Sequence, residues 1–332
     1  MKPLPVDVAE MSHALRRRFV KDCDLPIQLV QSPYFEYFID LYDRFFPKHG
    51  GVYARLASFS KCVSDCGGEK EFFEEDAVLK ASVISHVKEK KEFVKWFCDS
   101  ALNLTDFKER PKFNVGENLY REDNAGIDLV SLDIVSGNFR ALRFLSPEIV
   151  DGKNNYDEFI GQFTNHDHFI QSKHIRQYIF GNLNPKRQIL IQKELMFKLY
   201  IDLLIQFGGN RRICSSSHDE LVIPAESQDL FRVDKALSNM REQYDLPGMP
   251  FVKVDHFRLV RIAGTKFYVK CSFNGRKEFK CVPSCLFAQV FKQYMNLELC
   301  DMDLAFYHEG RVARFVEPYF SDSPVEDDGE DQ

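Results

Sequence analysis

The sequence predicts an α+β protein, and three observations carry that expectation. Helical periodicity fills the N-terminal third. Apolar strands and helices alternate through the middle. Short alternating strands with tight-turn dipeptides dominate after residue 250. The implied division is a helical N-terminal domain over 1–120, a mixed core over 121–248, a β-rich C-terminal region over 249–318 and a disordered acidic tail over 319–332.

In the first part, "PYFEYFIDLYDRFF" (33–46) crowds aromatic residues onto a short helix. Over 76–98, Leu79, Val83, Val87 and Val94 recur near every fourth position, which predicts one buried helical face with a charged back. The acidic stretch 64–76 with Gly67-Gly68 needs no more than a helix N-terminus, where carboxylates are favoured. "IDLVSLDIV" (127–135) then predicts a buried strand, broken at Ser136-Gly137-Asn138. A helix follows to Leu145, and Pro147 opens a new turn. Helices are expected over 169–181, ending at Gly181, and over 185–207, with Pro185 in the first turn. "RICSSSHDELVIP" (212–224) predicts strand, turn and strand. Beyond 250, three alternating strands are expected, with Asn274-Gly275 as a type I′ hairpin turn. A helix over 283–295 and a hairpin over 303–317 turning at Glu309-Gly310 complete the chain.

Bulk properties narrow the function. Apolar residues make up 44% of 332, enough for a sizeable core. A formal net charge of −6 argues against coating nucleic acid wholesale, yet the tail alone carries six acids, so the remainder is neutral. Bases concentrate in two stretches, eight over 170–215 and eight over 253–280, each against two acids. Such stretches suit a phosphate-binding groove or, as plainly, a solvated face. No apolar run reaches 18 residues, and the N-terminus has no signal-peptide core, so no membrane partner is expected. Nine cysteines without a secretory signal suggest reduced thiols and a cytoplasmic setting, that of the host cell if the protein is viral. Cys62-x₃-Cys66 and Cys281-x₃-Cys285 fall off the usual zinc spacings, and incidental thiols are expected there.

The constellation with chemical content is Asp133 at the end of one strand and Asp219 in a later hairpin. Two carboxylates on adjacent strand tips are what two-metal phosphoryl transfer requires, since paired Mg²⁺ ions share oxygen ligands. A basic side chain on a nearby helix would neutralise a triphosphate. Simpler readings stand beside this one: Asp133 as a helix cap, His218-Asp219-Glu220 as a turn, and Lys173, Arg176, Lys186 and Arg187 as an exposed face.

Residues 127–224 resemble the palm of family A DNA polymerases and the related single-subunit RNA polymerases. "DIVSGNFR" matches that family's first motif, Asp followed after six residues by Arg, through Asp133 and Arg140. "SHDELVIP" matches its third motif, His-Asp-Glu after a short strand, through His218, Asp219 and Glu220. "RQYIFG" matches the second half of the fingers motif, with Arg176 at the Lys position. The helix over 185–207 occupies the place of the long palm helix. Departures are Asn138 where the family has Glu, Ser172 at the fingers Arg position with Lys173 one residue out of step, and only 86 residues between Asp133 and Asp219. The fingers would therefore be minimal.

The resemblance implies a polymerase-like palm with an antiparallel sheet and template-directed nucleotidyl transfer, or a nucleic-acid-binding replication or transcription subunit derived from such an enzyme. Asp133 and Asp219 would hold Mg²⁺, with Glu220 and His218 in the catalytic set. Lys173, Arg176 and Arg140 would contact nucleoside triphosphate. Lys186, Arg187, Arg258, Arg261 and Lys270 would hold nucleic acid, with other replication or transcription proteins as partners. Two alternatives remain. One is a metal-dependent nuclease or phosphohydrolase using His166, Asp167, His168 and His174. The other is a non-enzymatic module that docks proteins.

Overall fold

A computed structural model describes residues 10–43, 51–98, 119–209, 212–243 and 251–319. Arg211 and the acidic tail beyond 319 lie outside the described residues. The architecture is α+β: helices pack against an antiparallel sheet.

Among the described residues the chain opens with the helices α1 (His13–Cys23), α2 (Tyr34–Asp43), α3 (Gly51–Asp65) and α4 (Glu69–Lys88). The Ser12 hydroxyl caps α1 by accepting from the Leu15 N–H at 3.1 Å. The acids from Glu69 to Asp76 belong to α4, whose first turn carries Glu69 and Glu71, while Asp65 ends α3. That helix starts earlier than the periodicity suggests and stops at Lys88, and the chain restarts as a short helical segment from Lys91.

Strand β1 (Asp128–Ile134) leads into α5 (Gly137–Leu145). Short helices α6 (Tyr156–Ile160), α7 (Asp167–Gln171) and α8 (Lys173–Gly181) follow. The expected single helix over 169–181 is thus split at Ser172, whose hydroxyl caps α8 through the Ile175 N–H at 3.1 Å. Then come α9 (Pro185–Phe207), the strands β2 (Ser215–Ser216) and β3 (Glu220–Pro224), and α10 (Leu230–Gln243). Helix α9 begins at an Asn184 cap with Pro185 in its first turn and ends at Gly208, in the left-handed region at φ 72°. Strands β4 (Val252–Arg261), β5 (Tyr268–Ser272) and β6 (Lys277–Lys280), helix α11 (Phe287–Tyr294) and the hairpin β7 (Ala305–His308) and β8 (Arg311–Arg314) complete the fold.

The six-stranded sheet runs β2-β3-β1-β4-β5-β6, antiparallel throughout. Within it the order strand, helices, hairpin, helix, strand gives a split βαβ arrangement, with β1 between β3 and β4. The alternation of β1 separates two faces. Val130, Leu132 and Ile134, with Leu221 and Ile223 of β3, join the main core with Phe139 of α5, Leu195 of α9 and Val233 and Met240 of α10. Leu129, Val222, Phe257, Leu259 and Tyr268 form a second cluster on the other face, covered by Leu119, Tyr120 and Ile127.

The main core runs without a break from Leu15 in α1 through the sheet to Phe287 and Ala305. The Tyr37 hydroxyl reinforces this by donating to Asp303 Oδ1 at 2.5 Å. One turn differs from expectation. Only Gly275 of Asn274-Gly275 has positive φ, at 84°, and Ser272 N–H bonds to Arg276 C=O across a three-residue loop, which is not type I′. The primed two-residue turn occurs instead at Glu309 and Gly310, with φ of 45° and 83°.

Candidate functional site

The register of β1 places its last residues beside the start of β3. Asp133 lies opposite Glu220 on one side and Lys253 on the other. Directly opposed residues on an antiparallel pair share a face, with Cβ atoms roughly 4.5–5.5 Å apart. Glu220, Asp133 and Lys253 therefore form a row across three strands. Asp219 sits in the bend just before β3, and its C=O accepts from the Ile134 N–H at 2.8 Å. Residues 86 apart in sequence thus meet at neighbouring strand ends.

Several local devices hold this arrangement. The Ser217 Oγ accepts from the N–H groups of Asp219 and Glu220 at 3.3 and 3.0 Å, and donates to Asp219 Oδ1 at 2.8 Å. This pins both acids at the turn. From within β1, Ser131 Oγ donates to Glu220 Oε1 at 2.5 Å. Ser136, at φ 53°, turns the chain out of β1 into α5. A Cβ on Gly137 would stand 3.3 Å from the Gln192 side chain and 3.6 Å from Asp219 Cβ, so α5, α9 and the β2–β3 hairpin close on one point. Gln192 Nε2 fixes Asn138 by donating to its Oδ1 at 2.7 Å.

Electrostatics at the row are unfavourable to charge. Burial, then the neighbouring carboxylates of Glu220 and Asp219, push Asp133 up to about 6, against the partial relief of Lys253 and Lys270. The Asp133 carboxyl accepts no hydrogen bond among the described residues, which leaves its oxygens available. A few residues along the same face, Asp255 is treated in the opposite way. Burial alone would raise it, but the Lys270 ammonium and the Arg276 guanidinium, both bonded to its carboxylate, hold it below the ordinary carboxylate range. Lys270 lies 2.8 Å from Asp255 and 4.1 Å from the Phe257 ring centroid. Asp133 and Glu220 share one face, while Asp219 Cβ lies on the Gly137 and Gln192 side, and the three acids do not close into a group of ligand atoms within 4.8 Å of one another. Asp133 and Asp219 offer oxygen donors, the kind that hard divalent cations such as Mg²⁺ take, and are the residues that would hold one.

The other expected site residues have separate surroundings. His218 stays at the hairpin, with Nε2 3.5 Å from Asp219 Oδ1. Lys173 pairs with Asp24 at 2.6 Å, and the Arg176 guanidinium stacks over Tyr156. Arg140 is buried, and burial with the nearby charge of Arg143 lowers its pKa. Lys186 is exposed at the start of α9, while Arg187 Nη1 donates to the Trp96 carbonyl at 2.5 Å. Arg258 binds Asp128 at 2.6 Å on the face of the sheet opposite Asp133. Arg261 lies on the Asp133 face, bonded to Glu122 and to the Thr265 carbonyl.

The histidines of 166–174 do not act together. His168 is buried against Asp22 at 2.9 Å, inside a network with Arg18 and Asp76, and His166 faces Cys66 at 3.8 Å. Ser131 and Ser217 belong to the site with no sequence signal for their roles as hydrogen-bond partners of the acids, and Lys253 enters the sequence reading only as one of the bases over 253–280. The period of β4 carried a signal for Lys253, but its register against β1 did not follow from it. No known protein family, curated protein or solved structure matches the chain.

Proposed function

We propose that the chain is a template-directed nucleotidyltransferase of the polymerase kind, with the β1–β3 end as its catalytic centre. The observation that carries this reading is that Asp133 and Glu220 face each other at the ends of β1 and β3, with Lys253 and Lys270 on their face and Asp219 in the bend just before β3. The order β1, α5, inserted short helices, α9, β2–β3 hairpin supports it, because a palm carries its first acid on a strand end and its second in a following hairpin. Bound Mg²⁺ would supply charge stabilisation at the attacking and leaving oxygens.

In this reading the chain's own residues do the rest. Asp133 and Asp219 present oxygens to the cation, and Ser131 and Ser217 orient Glu220 and Asp219. Lys253 and Lys270 temper the negative field, so a polyphosphate is not repelled from the face. Helices α6, α7 and α8 occupy the stretch of chain between α5 and α9 where a palm carries its fingers, which puts Lys173 and Arg176 forward as triphosphate contacts. Arg261 would track the nucleic-acid backbone, whereas Lys270 is buried against Asp255 and acts only through its charge; larger replication or transcription assemblies are the expected partners.

The test is primer extension on primed DNA and RNA templates with Mg²⁺ and the matching nucleotides. The wild type should incorporate nucleotide. Asp133→Asn and Asp219→Asn should each lose incorporation by at least about a hundredfold, the scale for one preorganised electrostatic group, while still binding primed template. Shortening of the primer by the wild type, lost in the same variants, would instead assign the acids to hydrolysis. Neither activity under any template would refute the reading.

A further inference from the structure

A second side-chain cluster lies away from the acidic row, where α3, α4 and the start of α7 converge. Cys62 and Cys66 stand one helical turn apart at the end of α3, which brings their side chains to one side. His166, just before α7, enters from across the interface. The two thiol sulfurs and one imidazole nitrogen all lie within 4.8 Å of one another. Glu75 of α4 closes the group, with Oε2 3.5 Å from Cys66 Sγ and 3.2 Å from His166 Nε2.

We propose that Cys62, Cys66 and His166, with Glu75 as the fourth ligand, form a zinc site that ties the N-terminal helices to the segment inserted after α5. Donor chemistry points there first. Two sulfurs, an imidazole and a carboxylate make a mixed N/S/O set, the one borderline-soft Zn²⁺ selects and Mg²⁺ does not. Spacing between donors agrees. A tetrahedron with Zn–S of about 2.3 Å and Zn–N and Zn–O of about 2.0 Å has S···N and S···O edges near ~3.5 Å and an N···O edge near ~3.3 Å. The corresponding separations are 3.8, 3.5 and 3.2 Å. Glu75 reaches the Cys66–His166 edge of this figure, and Cys62 supplies the remaining vertex.

Burial is graded as a structural site requires. Cys62 is only 4% exposed, whereas Cys66 and His166 are half-buried, so the ion would be sheltered yet reachable. The His166 ring also packs edge-on against Phe169, with centroids 5.5 Å apart, which fixes its orientation. Binding replaces two S–H protons by two metal–sulfur bonds and releases those protons to solvent.

The full chain, purified under reducing conditions after expression in zinc-supplemented medium, should carry one zinc per molecule by elemental mass spectrometry. Exchange for Co²⁺ should give tetrahedral ligand-field bands and a thiolate-to-metal charge-transfer band. Cys62→Ser, Cys66→Ser and His166→Ala should lose the stoichiometric metal, and Glu75→Gln should bind it more weakly. Where a cysteine variant does not fold, the wild type decides: mercurial titration of its thiols should release zinc to a colorimetric chelator in proportion. Absence of zinc together with no Co²⁺ charge-transfer band in the reduced protein would overturn the proposal. So would a metal-free chain in which Cys62 and Cys66 have lost two hydrogens to a disulfide. Unchanged zinc affinity in Glu75→Gln would overturn the four-ligand assignment.

Discussion

Replacing Asp133 by Asn should make the cation-free protein more stable, not less. The magnitude follows from the site. Asp133 titrates at about 6 in the folded chain against an ordinary 3.8, because it is buried beside Glu220 and Asp219. At about 1.36 kcal/mol per pH unit, that difference corresponds to ~3 kcal/mol of strain in holding the charge, an upper bound for what Asn relieves. The sign is fixed by proton linkage. Below pH ~4 the carboxyl is protonated in both states, and the wild type and the variant should be alike. Between pH ~4 and ~6 the folded state holds a proton that the unfolded chain has released, so wild-type stability falls as pH rises. Above pH ~6 the full penalty applies and the advantage of Asn should level off.

Urea unfolding of both proteins from pH 4 to 8, without divalent cations, measures this directly. A second series with Mg²⁺ should reverse the order, since a cation that binds only the folded wild type stabilises it by mass action and Asn offers a poorer ligand. Its apparent affinity for the wild type should weaken below pH ~6, where the proton competes. An Asn variant less stable than the wild type at neutral pH without cations would refute the electrostatic reasoning. A stability gap independent of pH would do the same.

Other perturbations test the surroundings of the site. Ser217→Ala removes the oxygen that gathers the Asp219 and Glu220 N–H groups, and should cost about 1 kcal/mol in urea unfolding, with Thr restoring it. Asp22→Ala leaves Arg18 and His168 facing an empty buried position and should cost ~3–5 kcal/mol, far more than a surface acid. Asp22 is held below the ordinary range, since the His168 and Arg18 bonds outweigh burial, so its stabilising share should persist at neutral pH and fade under acid conditions. Lys253→Ala should weaken primed-template binding uniformly across sequences and lower the slope of log affinity against log salt by about 1, read by fluorescence anisotropy.

Local physics made much of the fold legible. Buried strands such as "IDLVSLDIV" announce themselves by composition, and α9 carried both of its boundary signals, Pro185 and the glycines at 208–209. The split at Ser172 had a sequence trace too, because Ser competes for backbone N–H groups and caps helices better than it continues them. What remained hidden was set by pairing between distant segments. Asp133 and Asp219 each had a local alternative reading, as cap and as turn. Only the β1–β3 register puts Glu220 opposite Asp133. The same limit governed the cysteines. Cys62-x₃-Cys66 misses the loop spacings of familiar zinc motifs, but a helix brings i and i+4 together, and the third donor lies 100 residues further on.

The two clusters fit one division of labour. Asp133 is held buried beside Glu220 and Asp219 at a cost to stability. Compensation has to come from elsewhere, and the main core supplies it by running unbroken from α1 to the last hairpin. Helices α7 and α8 belong to the segment inserted between α5 and α9. They are anchored to the N-terminal helices by the bonds of Asp22 to His168 and Ser172, and of Asp24 to Lys173. A zinc ion at Cys62, Cys66 and His166 would add a further tie across that junction. Loosening it by Asp22→Ala should therefore lower activity as well as stability if α7 and α8 must hold a nucleotide over the acidic row. An Asp22→Ala protein that folds and retains full turnover would separate the two clusters and deny these helices that role.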